Sequence, residues 1–555
     1  MDATALPTAT EPVAEKSAHW LIRLCIPTLL LAAFAAQSLW FIKTQSLTYD
    51  EPGHIIAGLE AWHQGRFQMW TDHPPLGRFW LTLPIARSQV EITQQPLARG
   101  YRVTAIQPGA EWIARHTRPM NTLLGLALGL TLWFATRRIF SEGAANVALA
   151  LFAFTPSLIA NFSVATTDGI GALFVFLTAW QLVRWRQNPS RLQTALMGLV
   201  LGGLMLSKLY TPPELLLALV LMLFIHSGRY GDVSPWRPVL AALVVALLIW
   251  WAGYLFHVSH VKVGNGQVVA SFPKRETKTW ATKSKLKLDL YVPAGEYFEG
   301  LREVALSSHR GREAWFLGSV YRAGAPKLYY PVVIGLKWPT ILLLLFALSF
   351  LFGLGRSVRA SNDLFIFWTF ALVFFVFAFQ SHFGIGERHI LPLYPFALMI
   401  AGGIWEHARQ HRAAMAALIL LVCLNAADCL RYAPDYLAYF NIFVKPETSW
   451  RLLTDSNLDW GQGLIALREY EQQHPAEDLR LAYFGSVDPK LYGIKAKPLA
   501  PFEQVRGKVV IGGSCLSGQV FDDAESYRWL WAYRPQRAID HSMWLFNTAE
   551  NRPQR

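Results

Sequence analysis

Asp50 and Glu51 are adjacent carboxylates where the chain leaves its first long apolar run, inside the stretch TYDEPGHIIAGLEAWHQGRFQMWTDHPPLGRFW from Thr48 to Trp80. A carboxylate in that position can take a proton from an attacking hydroxyl while its neighbour holds a cation or orients a sugar. The same residues also read as a helix start, with Asp50 as N-cap, Pro52 in the first turn and GHIIAGLEAW as an amphipathic helix. The two readings are compatible, because a cap fixes the carboxylate in place. Asp72-His73-Pro74-Pro75 forms a rigid turn, since proline limits φ and holds the preceding residue extended. It either aims Asp72 or His73 back at the Asp50 pair or is a solvated corner.

Other charged residues stand at the ends of apolar runs. Asp168 opens the run GIGALFVFLTAW, as a functional acid at a membrane edge or as an N-cap complementing the helix dipole. Lys208 closes a run in GGLMLSKLYTPP, as a terminal lysine snorkelling to the interface or as the partner of an anion. Arg388-His389 in GIGERHILPLYPF and Arg118 at the entrance to RPMNTLLGLALG hold equivalent positions. Cations converging on a face that also carries carboxylates suit a phosphate leaving group beside a base. A divalent metal held by carboxylates and histidines is possible, but the spacing of the 15 His identifies no ligand set.

The elements that must hold these residues are set by composition. The chain has 555 residues, is 53% hydrophobic and only 16% charged, against about 25% charged in a soluble protein. Apolar runs separated by short basic segments predict an all-α polytopic membrane protein. Spans are expected at 20–42, 119–136, 143–160, 169–185, 193–207, 212–227, 237–256, 330–353, 363–380, 390–405 and 412–430, about eleven by a 20-residue criterion. Arg137-Arg138, Arg184/Arg186/Arg191, Arg229/Arg237, Arg356/Arg359 and Arg409/Arg412 fall on one side, which the positive-inside rule makes cytoplasmic. The Asp50 loop, Asp168, Lys208, the loop 257–329 and Arg388 then share the opposite side.

Residues 1–19 are expected to be a disordered cytoplasmic tail, without a cleavable signal peptide. Residues 20–430 read as a transmembrane domain with outer loops 43–118 and 257–329, the second carrying an amphipathic helix over YFEGLREVALSSHR. Residues 431–555 read as a small α/β domain outside the membrane, with strands at LRLAYFG and KVVIGGS and a turn and helix at DSNLDWGQGLIALREYEQQ. The net charge of +13 is spread over membrane-flanking loops, which argues against a nucleic-acid partner and for lipid head groups. The four cysteines have neither zinc-site nor disulfide-framework spacing.

These residues carry a resemblance. The acidic pair after the first span, the HPPLGR run from His73 to Arg78, RPMNTLLGLALGLTLWFATRRIF from Arg118, TTDGIGALF around Asp168, SKLYTPP around Lys208 and ERHILPLYPF resemble, in that order, motifs of the GT-C integral-membrane glycosyltransferases. The branch is that of the protein O-mannosyltransferases and the lipid A aminoarabinose transferase, glycosyltransferase family 39. Two departures stand out. The acid directly precedes HPP here, whereas the mannosyltransferases usually carry it two residues before. Residues 431–555 do not look like the mannosyltransferase MIR domain.

The resemblance implies the GT-C fold and transfer of a sugar from a polyprenyl phosphate to an acceptor at the non-cytoplasmic face of a bacterial inner membrane, with inversion. It implies Asp50 as general base with Glu51 and Asp168 positioning sugar or acceptor. Lys208, Arg118 and Arg388, with a metal as an option, would hold the donor phosphate. His73, Arg78 and His389 are expected to position substrate. The acceptor is a protein, lipid or glycan. The rival readings are a transporter or flippase of a lipid-linked anion, which calls for internal repeats that the sequence lacks, and a non-catalytic membrane scaffold.

Overall fold

The computed structural model describes residues 13–97, 100–230, 236–353, 362–520 and 523–550. The expected disorder of residues 1–12 and the basic pair Arg356/Arg359 lie outside them. The first helix starts at Val13, inside the expected tail, and runs to Thr44. Among the described residues, five helices are long and apolar enough to cross a membrane alone: Leu24–Thr44, Ala110–Ile139, Trp236–Gly253, Asp363–Gln380 and Arg412–Arg431. Glu142–Ala153, Arg191–Ser207 and Pro212–Ile225 are shorter apolar helices. The chain is an integral membrane protein, mostly helical.

The apolar run 143–160 is broken where Pro156 starts a separate short helix, Pro156–Asn161. The run 330–353 bends by 110° between Tyr329–Lys337 and Thr340–Phe352. Pro339 supplies no N–H there, and Trp338 is extended. Protein groups close the break: Asn441 Nδ2 donates to Gly335 O and Trp338 O at 2.6 and 3.0 Å, and Lys337 Nζ donates to Asn457 O at 2.6 Å.

Close packing fixes the helix that carries Lys208. A Cβ on Gly198 or Gly202 would meet Ala242 O at 2.6 Å or Ala246 O at 2.9 Å. Only glycine lets Arg191–Ser207 lie this close to Trp236–Gly253.

The loop after Gly253 does more than the sequence announces. It folds into a four-stranded antiparallel sheet, ordered Lys278–Ala281, Gln267–Ser271, Val258–Gly264, Leu288–Pro293. The expected helix follows at Gly295–Arg310. Beyond Arg431, a five-stranded mixed sheet has the order Lys497–Pro498, Leu479–Ala482, Lys508–Gly512, Met543–Asn547, Arg537–Ala538. Leu479–Ala482 runs parallel to Lys508–Gly512, which runs antiparallel to Met543–Asn547.

This C-terminal region is fastened to the first outer loop. Ser46 N donates to Gln462 O at 2.8 Å, Tyr49 N to Trp460 O at 2.9 Å and Val103 N to Ser486 O at 2.7 Å. One apolar cluster joins Leu47, Ile55 and Leu81 of that loop to Leu464, Leu481 and Val510.

Candidate functional site

The adjacent acids part company. Glu51 is fully buried and accepts from Thr48 N and Ala165 N, each at 2.6 Å, and from Arg118 Nε and Nη2 at 2.8 and 2.7 Å. Arg118, equally buried, also donates to Gln45 O and Ser46 O, both at 2.7 Å. Glu51 and Arg118 therefore brace the exit of the first span against the Ala110–Ile139 helix and the Ala165 turn. Arg118 is expected among the phosphate-binding cations, yet its guanidinium is sealed by this pairing. Glu51 is likewise closed off from an incoming substrate.

Asp50 sits at the N-cap of Glu51–Gln64 but makes no side-chain cap hydrogen bond. Its Oδ2 instead accepts from Arg388 Nη1 at 2.6 Å. The same Nη1 lies 3.8 Å from Asp168 Oδ2, and Lys208 Nζ lies 2.8 Å from Asp168 Oδ1. The Lys208 contact is ionic and off hydrogen-bond geometry, so both Asp168 oxygens lack a hydrogen bond. Asp50, Arg388, Asp168 and Lys208 thus form one alternating chain of charge, brought together from four places in the sequence. Asp168, Lys208 and Arg388 are buried, while Asp50 keeps 23% of its side chain exposed and is the open end.

His73 extends the chain. Its Nδ1 lies 3.3 Å from Lys208 Nζ and 2.9 Å from Thr167 Oγ1. An ammonium can only donate, so Nδ1 accepts and the ring proton sits on Nε2, which is 3.8 Å from Asp72 Oδ2. The His73 ring meets His54 edge-on at 4.8 Å. Burial, reinforced by neighbouring cations, holds both imidazoles well below their usual range, so both are neutral. Arg78 donates to Met69 O at 2.8 Å and also to Trp70 O, so it holds the turn that presents His73. His389 is half-buried with Nε2 unpartnered, and burial followed by the Arg388 charge pushes it down to about 3.

Two participants are not singled out by sequence reading. Arg388 stacks on Trp460 with the guanidinium carbon 4.0 Å from the ring centroid. Asp455 faces Arg388 as well, and burial pushes its carboxyl up to about 6. Both come from DSNLDWGQ, which reads simply as a turn. Its run of polar residues in a buried segment is the available signal. Among the described residues, no group of three or more His, Cys, Asp or Glu side chains is arranged to hold a metal ion. Carboxylates paired with Lys and Arg fit such an ion poorly.

The arrangement can hold an anion between Lys208 and Arg388 with a carboxylate beside it. Residues 111–251, which contain Arg118, Asp168 and Lys208, match the sequence profile of the family described as dolichyl-phosphate-mannose-protein mannosyltransferase. The match covers about a quarter of the chain.

Solved structures similar to this chain include ArnT from Cupriavidus metallidurans bound to undecaprenyl phosphate. That likeness has 13% identity and a TM-score of 0.48, and covers 95% of this chain and 98% of that one. The Saccharomyces cerevisiae Pmt1-Pmt2 complex bound to the sugar donor is similar at 9% identity and a TM-score of 0.49, with 80% and 91% covered. The Archaeoglobus fulgidus oligosaccharyltransferase in the apo form is similar at 12% identity and a TM-score of 0.40, with 84% and 64% covered. No curated protein matches this chain in sequence.

Proposed function

We propose that this protein is a GT-C glycosyltransferase that moves a sugar from a polyprenyl phosphate to an acceptor hydroxyl in one in-line displacement, inverting the anomeric carbon. The observation that carries the reading is the charge chain Lys208–Asp168–Arg388–Asp50. Two cations in it suit the departing phosphate, and its open end is a carboxylate suited to the attacking hydroxyl.

In the reaction, the acceptor oxygen bonds to the anomeric carbon as the bond from that carbon to the phosphate oxygen breaks. Asp50 takes the acceptor proton. The polyprenyl phosphate leaves with the electron pair, and Lys208 and Arg388 stabilise it. Arg388 donates to Asp50. The donor phosphate competes for the same guanidinium and draws it off, so the base is released when the donor is in place. Asp168 holds both cations apart and aimed. Glu51 and Arg118 brace the loop, Arg78 shapes the turn, and His73 and His389 offer neutral contacts to substrate.

The reading places this chemistry on the periplasmic face of a bacterial inner membrane. About eleven crossings within residues 20–430 hold it, with residues 431–555 on the same face. The short basic loops support that orientation. The acceptor is a protein, lipid or glycan hydroxyl. A transporter would hold its ionisable groups near mid-membrane between repeats, whereas Asp168 and Lys208 lie at helix ends.

The test is transfer itself. Purified protein in proteoliposomes is given a radiolabelled polyprenyl-phosphate sugar and a membrane extract as acceptor source. Label is expected in acceptor, with the anomeric configuration opposite to that of the donor. Movement of the lipid-linked sugar across the bilayer without transfer would overturn the reading.

A further inference from the structure

The turn from Asp455 to Gln462 lies between the two loops that supply Asp50 and Arg388. On one side it grips the loop before Asp50, with Tyr49 N donating to Trp460 O at 2.9 Å, Ser46 N to Gln462 O at 2.8 Å and Ser46 Oγ to Gly461 O at 2.9 Å. On the other it grips the loop before Arg388, with Glu387 N donating to Asn457 Oδ1 at 3.0 Å and Ser456 Oγ donating to Ile385 O. Gly386 has φ +142°, and a Cβ there would collide with Ser456 Oγ. Asp455 itself is left-handed at φ 56°, a conformation that persists in a non-glycine residue where its surroundings impose it. Here they do: Ser514 Oγ accepts from its N–H at 2.9 Å, and its carbonyl accepts from Leu458 N and Asp459 N at 2.9 and 3.0 Å. Trp460, 1% exposed, then lays its ring against the Arg388 guanidinium at 4.0 Å.

We infer that Trp460 is a positioning residue for donor binding, holding Arg388 by its π face so that the guanidinium can move between Asp50 and a donor phosphate without swinging out of the site. The inference rests on the transferase reading. The ring's contribution is electrostatic as well as steric, because a guanidinium stacked on a buried aromatic face keeps its N–H groups free at the edge. One edge, Nη1, reaches Asp50 and Asp168, while Nε has no partner. An unpartnered buried N–H on a guanidinium is a charge-assisted donor available to a phosphate oxygen. The C-terminal region therefore enters the site through its aromatic wall, not as a detached appendage.

Two full-length variants in nanodiscs, Trp460→Leu and Trp460→Phe, test this with two readouts. The first is steady-state transfer at varied polyprenyl-phosphate sugar. Trp460→Leu is expected to raise the donor KM about thirtyfold, the size of a desolvated cation–π contact, with kcat close to that of the parent protein. Trp460→Phe is expected to restore most of the affinity. The second is the rate of phenylglyoxal labelling of Arg388 without donor, read by mass spectrometry, which is expected to rise severalfold in Trp460→Leu and little in Trp460→Phe. Unchanged labelling and KM in Trp460→Leu would overturn the inference, as would equal loss in both variants, which would make the ring a packing residue. If the transferase reading itself fails, no protein transfers sugar, and the labelling still decides whether Trp460 holds Arg388.

Discussion

Arg388 Nη1 lies 2.6 Å from Asp50 Oδ2, across 338 residues of sequence. In the proposed reaction the pair joins the base to the cation that receives the phosphate, so the base waits for its donor.

Removal of Arg388 follows directly. Arg388→Ala is expected to lower kcat/KM for the donor by about 10²–10³, the usual cost of one preorganised charge-stabilising donor. Arg388→Lys is expected to recover a minority of it, since an ammonium neither stacks as a plane nor presents a fork. Steady-state kinetics with a polyprenyl-phosphate sugar check this, and full rescue by lysine would show that a point charge suffices.

Lys208 is predicted to act on the donor alone. Lys208→Ala is expected to raise the dissociation constant for plain polyprenyl phosphate at least about tenfold, on the scale of one charge-assisted contact. Equilibrium binding to detergent-solubilised protein measures it. Unchanged affinity would remove Lys208 from the phosphate site and leave it as the counter-ion of Asp168 only.

Glu51 and Arg118 are predicted to matter for folding rather than chemistry. Arg118→Ala leaves the fully buried Glu51 carboxylate without its cation, at a cost of about 3–5 kcal/mol. The double variant Glu51→Gln, Arg118→Met is expected to regain part of that loss, because it removes both buried charges. Thermal melts read this, and activity is expected to follow the folded fraction. A stable, inactive Arg118→Ala protein would instead return Arg118 to the catalytic set.

The C-terminal region carries a pH signature. Burial pushes Asp455 and Asp540 up to about 6 and Asp459 up to about 8. Their folded values stand above the unfolded carboxyl value of about 4. The stability they contribute is therefore complete below about pH 4 and is lost as pH rises through 6 and then 8. Melting temperatures from pH 7 to 9, above the range where the buried neutral histidines act in the opposite sense, are expected to fall with rising pH. In Asp459→Asn the component near pH 8 is expected to vanish. A flat profile in the parent protein would contradict the assignment.

Much of the site is legible in sequence because charged residues at the ends of apolar runs are conspicuous. Asp50, Asp168, Lys208 and Arg388 all announce themselves that way, and the structure brings these four together. What sequence cannot show is which charge satisfies which. Glu51 and Arg118 look like site residues for the same reason as Asp50 and Arg388, but they pair with each other over 67 positions and seal themselves in. Trp460 is invisible among 22 tryptophans, most of them explicable as interfacial anchors or core. The helical fold is legible from hydropathy, while its interruptions are less so. Pro156 and Pro339 break apolar runs that a composition window reads as continuous. The sheet at Val258–Pro293 hides in a lysine-rich stretch whose strands alternate only weakly.

The most direct measurement of the central claim uses purified Asp50→Asn protein in nanodiscs with a polyprenyl-phosphate sugar and acceptor. It is expected to bind donor at least as tightly as the parent protein, since Arg388 loses its competing carboxylate, and to transfer sugar about 10²–10⁴-fold more slowly, the contribution of a general base. Transfer at the parent rate would contradict Asp50 as the base.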